Sequence, residues 1–194
     1  NHITIATSEP QMSLSALILM NIKFNLSKSK FNKICLQKTA YFMNILSNTE
    51  YFHFKKAKYG PFDYSIDVVS KNIQEYQKYH NVHTTEEAYT ILMQKLISQT
   101  TQEKLDFYIP FIKQATAFTN QFETTEAVEG AGTALFIIQQ NDRIDLPDIV
   151  RQFKEWSEDK AARFPEKSVI SAVNSLEKFG FIENTFLGYR IKPH

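Results

Sequence analysis

A chain of 194 residues, 43% apolar and 22% charged, with a net charge of +1, has the composition of a soluble globular protein and the length to bury a core without disulfide or metal staples. Its single cysteine, Cys35, excludes a disulfide framework and suits a reducing cytoplasm, and no apolar run is long enough to cross a bilayer. The charge is unevenly spread: residues 1–60 carry eight Lys against Glu9 and Glu50, residues 61–141 five Lys against ten acids, and the remainder nine basic residues against nine acidic ones. Such asymmetry steers charged partners, or it marks a solvated Lys-rich face.

The opening Asn1-His2-Ile3 has neither an initiator Met nor a charged-then-apolar leader, which reads as a piece of a longer chain, with residues 1–12 as a tail or linker. Leu14, Leu17 and Ile18 predict a helix, residues 25–28 a loop, and Ser29 the cap of a second helix that carries Phe31, Ile34, Cys35, Tyr41, Phe42, Ile45 and Leu46 and ends at Ser47-Asn48-Thr49. A strand over 51–56 and a turn at Tyr59-Gly60-Pro61-Phe62 follow, and Asp63 opens a helix bearing Ile66, Val69, Ile73 and Tyr76. Thr84 and Glu87 stand at capping-box spacing before another helix. Residues 101–121 are helical with a kink or break near Tyr108 imposed by Pro110, and Thr124 or Thr125 caps a helix to Ile138 in which Gly130, Ala131 and Gly132 admit a close neighbour.

From residue 142 the pattern changes: one helix over 146–158, a second from Pro165 to Phe179 stopped by Gly180, then a hairpin turning at Asn184-Thr185. Two helices and a hairpin follow the order of a winged-helix unit. The expected fold class is therefore mainly α (α+β), with a helical domain over 13–141 that holds a short strand or hairpin, and a winged-helix-like unit over 142–194.

Chemistry is sparse along this chain. His80 and His83 lack the third and fourth ligands a zinc site needs and read as a loop between helices. Cys35 falls on an apolar helix face, adjacent carboxylates such as Glu86-Glu87 and Glu158-Asp159 do not point together, and Gly130-x-Gly132 lacks the strand and the Lys-Ser/Thr ending of a phosphate loop. No catalytic set, metal or cofactor is expected. A recognition helix over 165–179 sets Lys167 and Lys178 against Glu166 and Glu177, an electrical balance that favours protein docking over DNA binding by the wing. The basic first part interleaves Lys23, Lys28, Lys30, Lys33, Lys55, Lys56 and Lys58 with aromatic residues, which makes nucleic acid or an acidic protein face a candidate partner there.

Leu36-Gln37-Lys38-Thr39-Ala40-Tyr41-Phe42, then Phe52-x-Phe54-x-Lys56, then Tyr59-Gly60-Pro61-Phe62 resemble the signature of the C-terminal toxin-binding domain of DarG-type antitoxins, and more distantly that of SocA-like or Panacea antitoxin domains. Phe122-Glu123-Thr124-Thr125-Glu126-Ala127-Val128-Glu129 and Trp156-Ser157-x-x-Lys160 are similar to two further stretches of the DarG family. The resemblance implies a non-catalytic domain that binds a DarT-like toxin, a DNA ADP-ribosyltransferase, and blocks it sterically, with a macrodomain hydrolase preceding it in the parent protein. Carried onto this chain, the candidate partner-binding residues are Gln37, Lys38, Tyr41, Lys55, Lys56, Tyr59, Gly60, Pro61 and Phe62. The competing reading makes the aromatic residues among them, Tyr41 above all, internal packing. The alternative function is a winged-helix DNA-binding regulator or a SocA-like adaptor.

Overall fold

Helix α1, Leu14–Asn25, begins where the Ser13 hydroxyl accepts the Ala16 amide, and it is buried on every side from Ala16 to Lys23. A helix buried on all faces and mostly apolar belongs at the centre of a bundle, and α1 packs against α2 (Lys33–Ser47), α3 (Tyr64–Tyr79), α4 (Thr85–Gln94) and α5 (Gln99–Asn120). The computed structural model describes residues 8–95 and 97–193. Among them lie nine α-helices and two antiparallel two-stranded hairpins, a mainly α (α+β) architecture. Within the expected tail, residues 1–7 lie outside the described residues, while Glu9 bonds to His80 Nε2 at 2.7 Å and to Lys95, tying the chain before α1 to the ends of α3 and α4.

Local capping sets most boundaries. Asp63 caps α3, Thr84 caps α4, and Thr124 caps α6, Thr125–Gln139. The Thr84 box is half formed as expected: its hydroxyl accepts the Glu87 amide, but the Glu87 carboxylate accepts the amide of His83, one residue before the cap. Helix α2 starts later than Ser29 predicts, because Asn32 supplies the capping oxygen to the Cys35 amide and Lys28–Lys30 form a 3-10 turn. At its other end Asn48 takes the left-handed conformation, φ 53°. Helix α5 runs unbroken through Pro110. Pro110 and Asp106, whose carbonyl loses its helical donor, are both exposed residues, on the face where such a loss costs least.

The expected strand over 51–56 shrinks to β1, Lys55–Ala57, paired with β2, Gly60–Phe62. Upstream, the Asn44 side chain takes the place of a neighbouring strand, donating to the Phe52 carbonyl at 2.8 Å and accepting the Phe52 amide at 3.3 Å.

Beyond residue 142 the expected single helix over 146–158 is two: α7, Leu146–Glu155, and a short α8, Glu158–Arg163, capped by Ser157. Helix α9, Glu166–Phe179, follows Pro165 and stops at Gly180, φ 98°. Strands β3, Ile182–Thr185, and β4, Gly188–Ile191, turn at Phe186-Leu187, two residues later than expected. Gly188, φ 119°, allows this register, since a Cβ there would stand 2.8 Å from the Ile144 backbone, which bridges Tyr189 through two hydrogen bonds. This part has no separate core. Phe181 lies 5.5 Å from Phe42 of α2 and 4.7 Å from Phe118 of α5, ring centre to ring centre, so one aromatic cluster joins both regions.

Candidate functional site

The β1–β2 hairpin is held from beneath by side chains of α2. Lys38 projects through a slot that two glycines leave open: a Cβ on Gly132 would meet Lys38 Cδ at 2.9 Å, and one on Gly60, φ 109°, would meet Lys38 Cε at 3.2 Å. At the end of the slot Lys38 Nζ donates to the Pro61 carbonyl at 2.9 Å. The residue is 1% exposed, and burial lowers its pKa to about 7, with buried Lys160 pushing the same way and Glu129 opposing.

Gln37 pins the hairpin where it exits. Its amide nitrogen donates to the Asp63 carbonyl at 2.9 Å and its oxygen accepts the Asp63 amide at 3.0 Å, so a side chain stands in for a missing strand. The Asp63 carboxylate then accepts the Ser65 amide, capping α3, and the His53 amide on the way into β1, each at 2.8 Å. Asp63→Ala removes both and is expected to cost about 2 kcal/mol in urea denaturation, with Asp63→Asn costing less because it keeps an acceptor. Tyr41 completes the floor: its hydroxyl donates to Gln139 at 2.6 Å, its ring stands edge-on to Phe54, and burial holds its pKa well above the phenol range.

From the side, Trp156 donates its indole N–H to the Ala57 carbonyl at 2.9 Å, and the Lys56 ammonium sits 4.6 Å from the indole ring. Arg163 approaches the Tyr59 ring to 5.9 Å. The same Arg163 pairs with Glu129, which also holds Lys160, and these charge-assisted bonds raise the guanidinium pKa.

The nine predicted residues thus divide by role. Gln37, Lys38, Tyr41, Gly60 and Pro61 are buried and form the anchorage; Phe62 is half-buried; Lys55, Lys56 and Tyr59 face outward, Tyr59 at 42% exposure. The turn itself is Lys58-Tyr59, with Gly60-Pro61-Phe62 forming strand β2 rather than the bend. Glu129, Gly132, Trp156, Lys160 and Arg163 were missing from that set. Three of them carried a signal: Glu129, Trp156 and Lys160 belong to the two outlying motif stretches, which meet here around the Lys38 slot.

Elsewhere the reactive side chains are quiet. Burial raises the Cys35 thiol pKa against the weaker lowering effect of Thr125, 3.8 Å away. No group of three or more His, Cys, Asp or Glu placed to hold a metal occurs among the described residues, and no helix among them is long and apolar enough to cross a membrane. Comparison with protein-family models, curated proteins and solved structures finds no match.

Proposed function

We propose that this chain is a non-catalytic, cytoplasmic protein-interaction domain of the DarG antitoxin type, which neutralises a DNA ADP-ribosyltransferase toxin by covering it. The observation that carries the reading is the hairpin: a two-residue tip, Lys58-Tyr59, fixed from below by Lys38 and Gln37 and from the side by Trp156, with Lys55, Lys56 and Tyr59 turned outward. A loop already held in one shape loses little entropy on binding. An exposed tyrosine flanked by cations is the type of anchor that dominates interfaces. The resembling motifs support the reading further, because their residues converge on this one structure.

Pairing Tyr59→Ala with Lys56→Glu is expected to weaken binding to a DarT-type toxin by about thirtyfold or more in calorimetric titration, while circular dichroism stays native. Unchanged affinity would remove the hairpin from the interface. The winged-helix reading has one observation in its favour, the Ile144–Tyr189 bridge that adds a third strand segment to the β3–β4 hairpin. On that reading duplex DNA binds at micromolar affinity and falls steeply with salt.

A further inference from the structure

Lys23 lies on α1 at 8% exposure, and among the described residues its ammonium has neither an ion-pair nor a hydrogen-bond partner. It opens into a groove between the end of α1 and the start of α2 on one side and α3 with the start of α4 on the other. An inner recess of about 190 Å³ is walled by Leu26, Leu36 and Phe31 and contains Lys23 and Lys33 with no carboxylate on its lining. It continues, through Lys23, Leu26, Phe31 and Gln74, into an outer recess of about 550 Å³ that adds Lys28, His83 and a single acid, Glu86. Phe31 stands half out of the protein beside this passage, its ring centre 6.0 Å from the Lys23 ammonium. Ser70, Gln74 and Gln77 face it from α3.

The Lys23 ammonium faces the groove with most of its side chain desolvated and, among the described residues, no anion beside it, and a ligand carboxylate supplies the missing counter-charge. We infer that this groove is a docking site for an extended acidic peptide segment, which places a Glu or Asp carboxylate on Lys23 and an adjacent apolar side chain against Leu26, Phe31 and Leu36. The elongated, open shape suits a chain rather than a compact small molecule. Three lysines to one carboxylate select an anionic partner, and the α3 hydroxyl and amides supply donors and acceptors for a peptide backbone. Burial depresses the Lys23 pKa, and a carboxylate seated beside it would reverse that shift.

The test uses the full chain and a fluorescein-labelled peptide of alternating Glu and Leu, followed by fluorescence anisotropy. Saturable binding is expected, weakened at least tenfold by Lys23→Met and by Phe31→Ala, with a Gln-for-Glu peptide failing to compete. Lys23→Met is expected to unfold no earlier than wild type; should it fail to fold, the half-exposed Phe31→Ala carries the test. Absence of saturable binding, equal binding by Lys23→Met, or equal competition by the Gln peptide overturns the inference. Competition by 4-methylpentanoate at the peptide's own concentration, or by single-stranded oligothymidylate, also overturns it, by making the ligand a free acid or a nucleic acid. The Tyr59→Ala/Lys56→Glu variant keeps peptide binding, so failure of the hairpin reading and failure of this one are separable.

Discussion

Glu129→Ala is expected to destabilise the protein by about 3–5 kcal/mol, the cost of stranding a buried charge. Glu129 is 2% exposed and Lys160 fully buried, and they meet at 2.5 Å. Arg163 reaches the same carboxylate at 2.6 and 3.1 Å. The Lys160 ammonium otherwise sees aromatic rings, with the centres of Phe164 and Phe153 at 5.1 and 5.8 Å. Burial lowers its pKa, and Glu129 is the chief group pulling the other way. Without that carboxylate the buried Lys160 loses its only direct anionic partner among the described residues, while Arg163 keeps the more exposed Asp159 and Glu126. For a chain of this size the loss lowers the melting temperature by about 10 °C. The double variant Glu129→Ala/Lys160→Met is expected to recover most of it, since an apolar replacement of a buried pair is close to neutral. A loss below about 1 kcal/mol for the single variant, or no recovery in the double, would mean that water solvates this cluster.

What could be read from the chain divides along a physical line. Helix starts at Asp63, Thr84 and Thr124 and the stop at Gly180 are visible because a cap bonds to an amide within three residues, so its cause lies in the adjacent sequence. Helix α2 was misplaced by three residues because Ser29 and Asn32 are both able caps; Asn32 also donates to Thr125 of α6, a tertiary contact invisible from neighbours. Helix α8 escaped notice since six residues are too few to show a period, despite Ser157 at its cap. Lys38 is the instructive case. Flanked by Gln37 and Thr39 it reads as a surface lysine offered to a partner, and only Gly60 and Gly132, 22 and 94 residues away, make the slot that buries it. The motif was legible as a unit, whereas which of its residues face outward depended on contacts between distant segments.

Lys38 also makes the fold sensitive to pH in a direction that can be stated. Its pKa falls from 10.5 in the unfolded chain to about 7 in the folded one, so between these values the unfolded state holds a proton that the native state has released. Stability therefore rises with pH across this window and is flat below it, where both states are protonated. Lys23 and Lys160, also lowered by burial, add to the rise. Cys35 and Tyr41, whose pKa values burial raises, oppose it as pH approaches 9 and 10, so the lysines dominate from pH 7 to 9 with Cys35 cutting in only near the top of that range. Over those two units the urea-unfolding free energy is expected to increase by about 2–3 kcal/mol, at about 1.4 kcal/mol per unit for one fully shifted group. Lys38→Met is expected to remove most of that slope. Its effect at pH 7 itself is smaller, because relief of the buried ammonium is offset by loss of the donor to the Pro61 carbonyl. A slope that survives in Lys38→Met would place the titration on the other lysines. A flat profile in wild type would mean that water reaches the slot and keeps the ammonium charged.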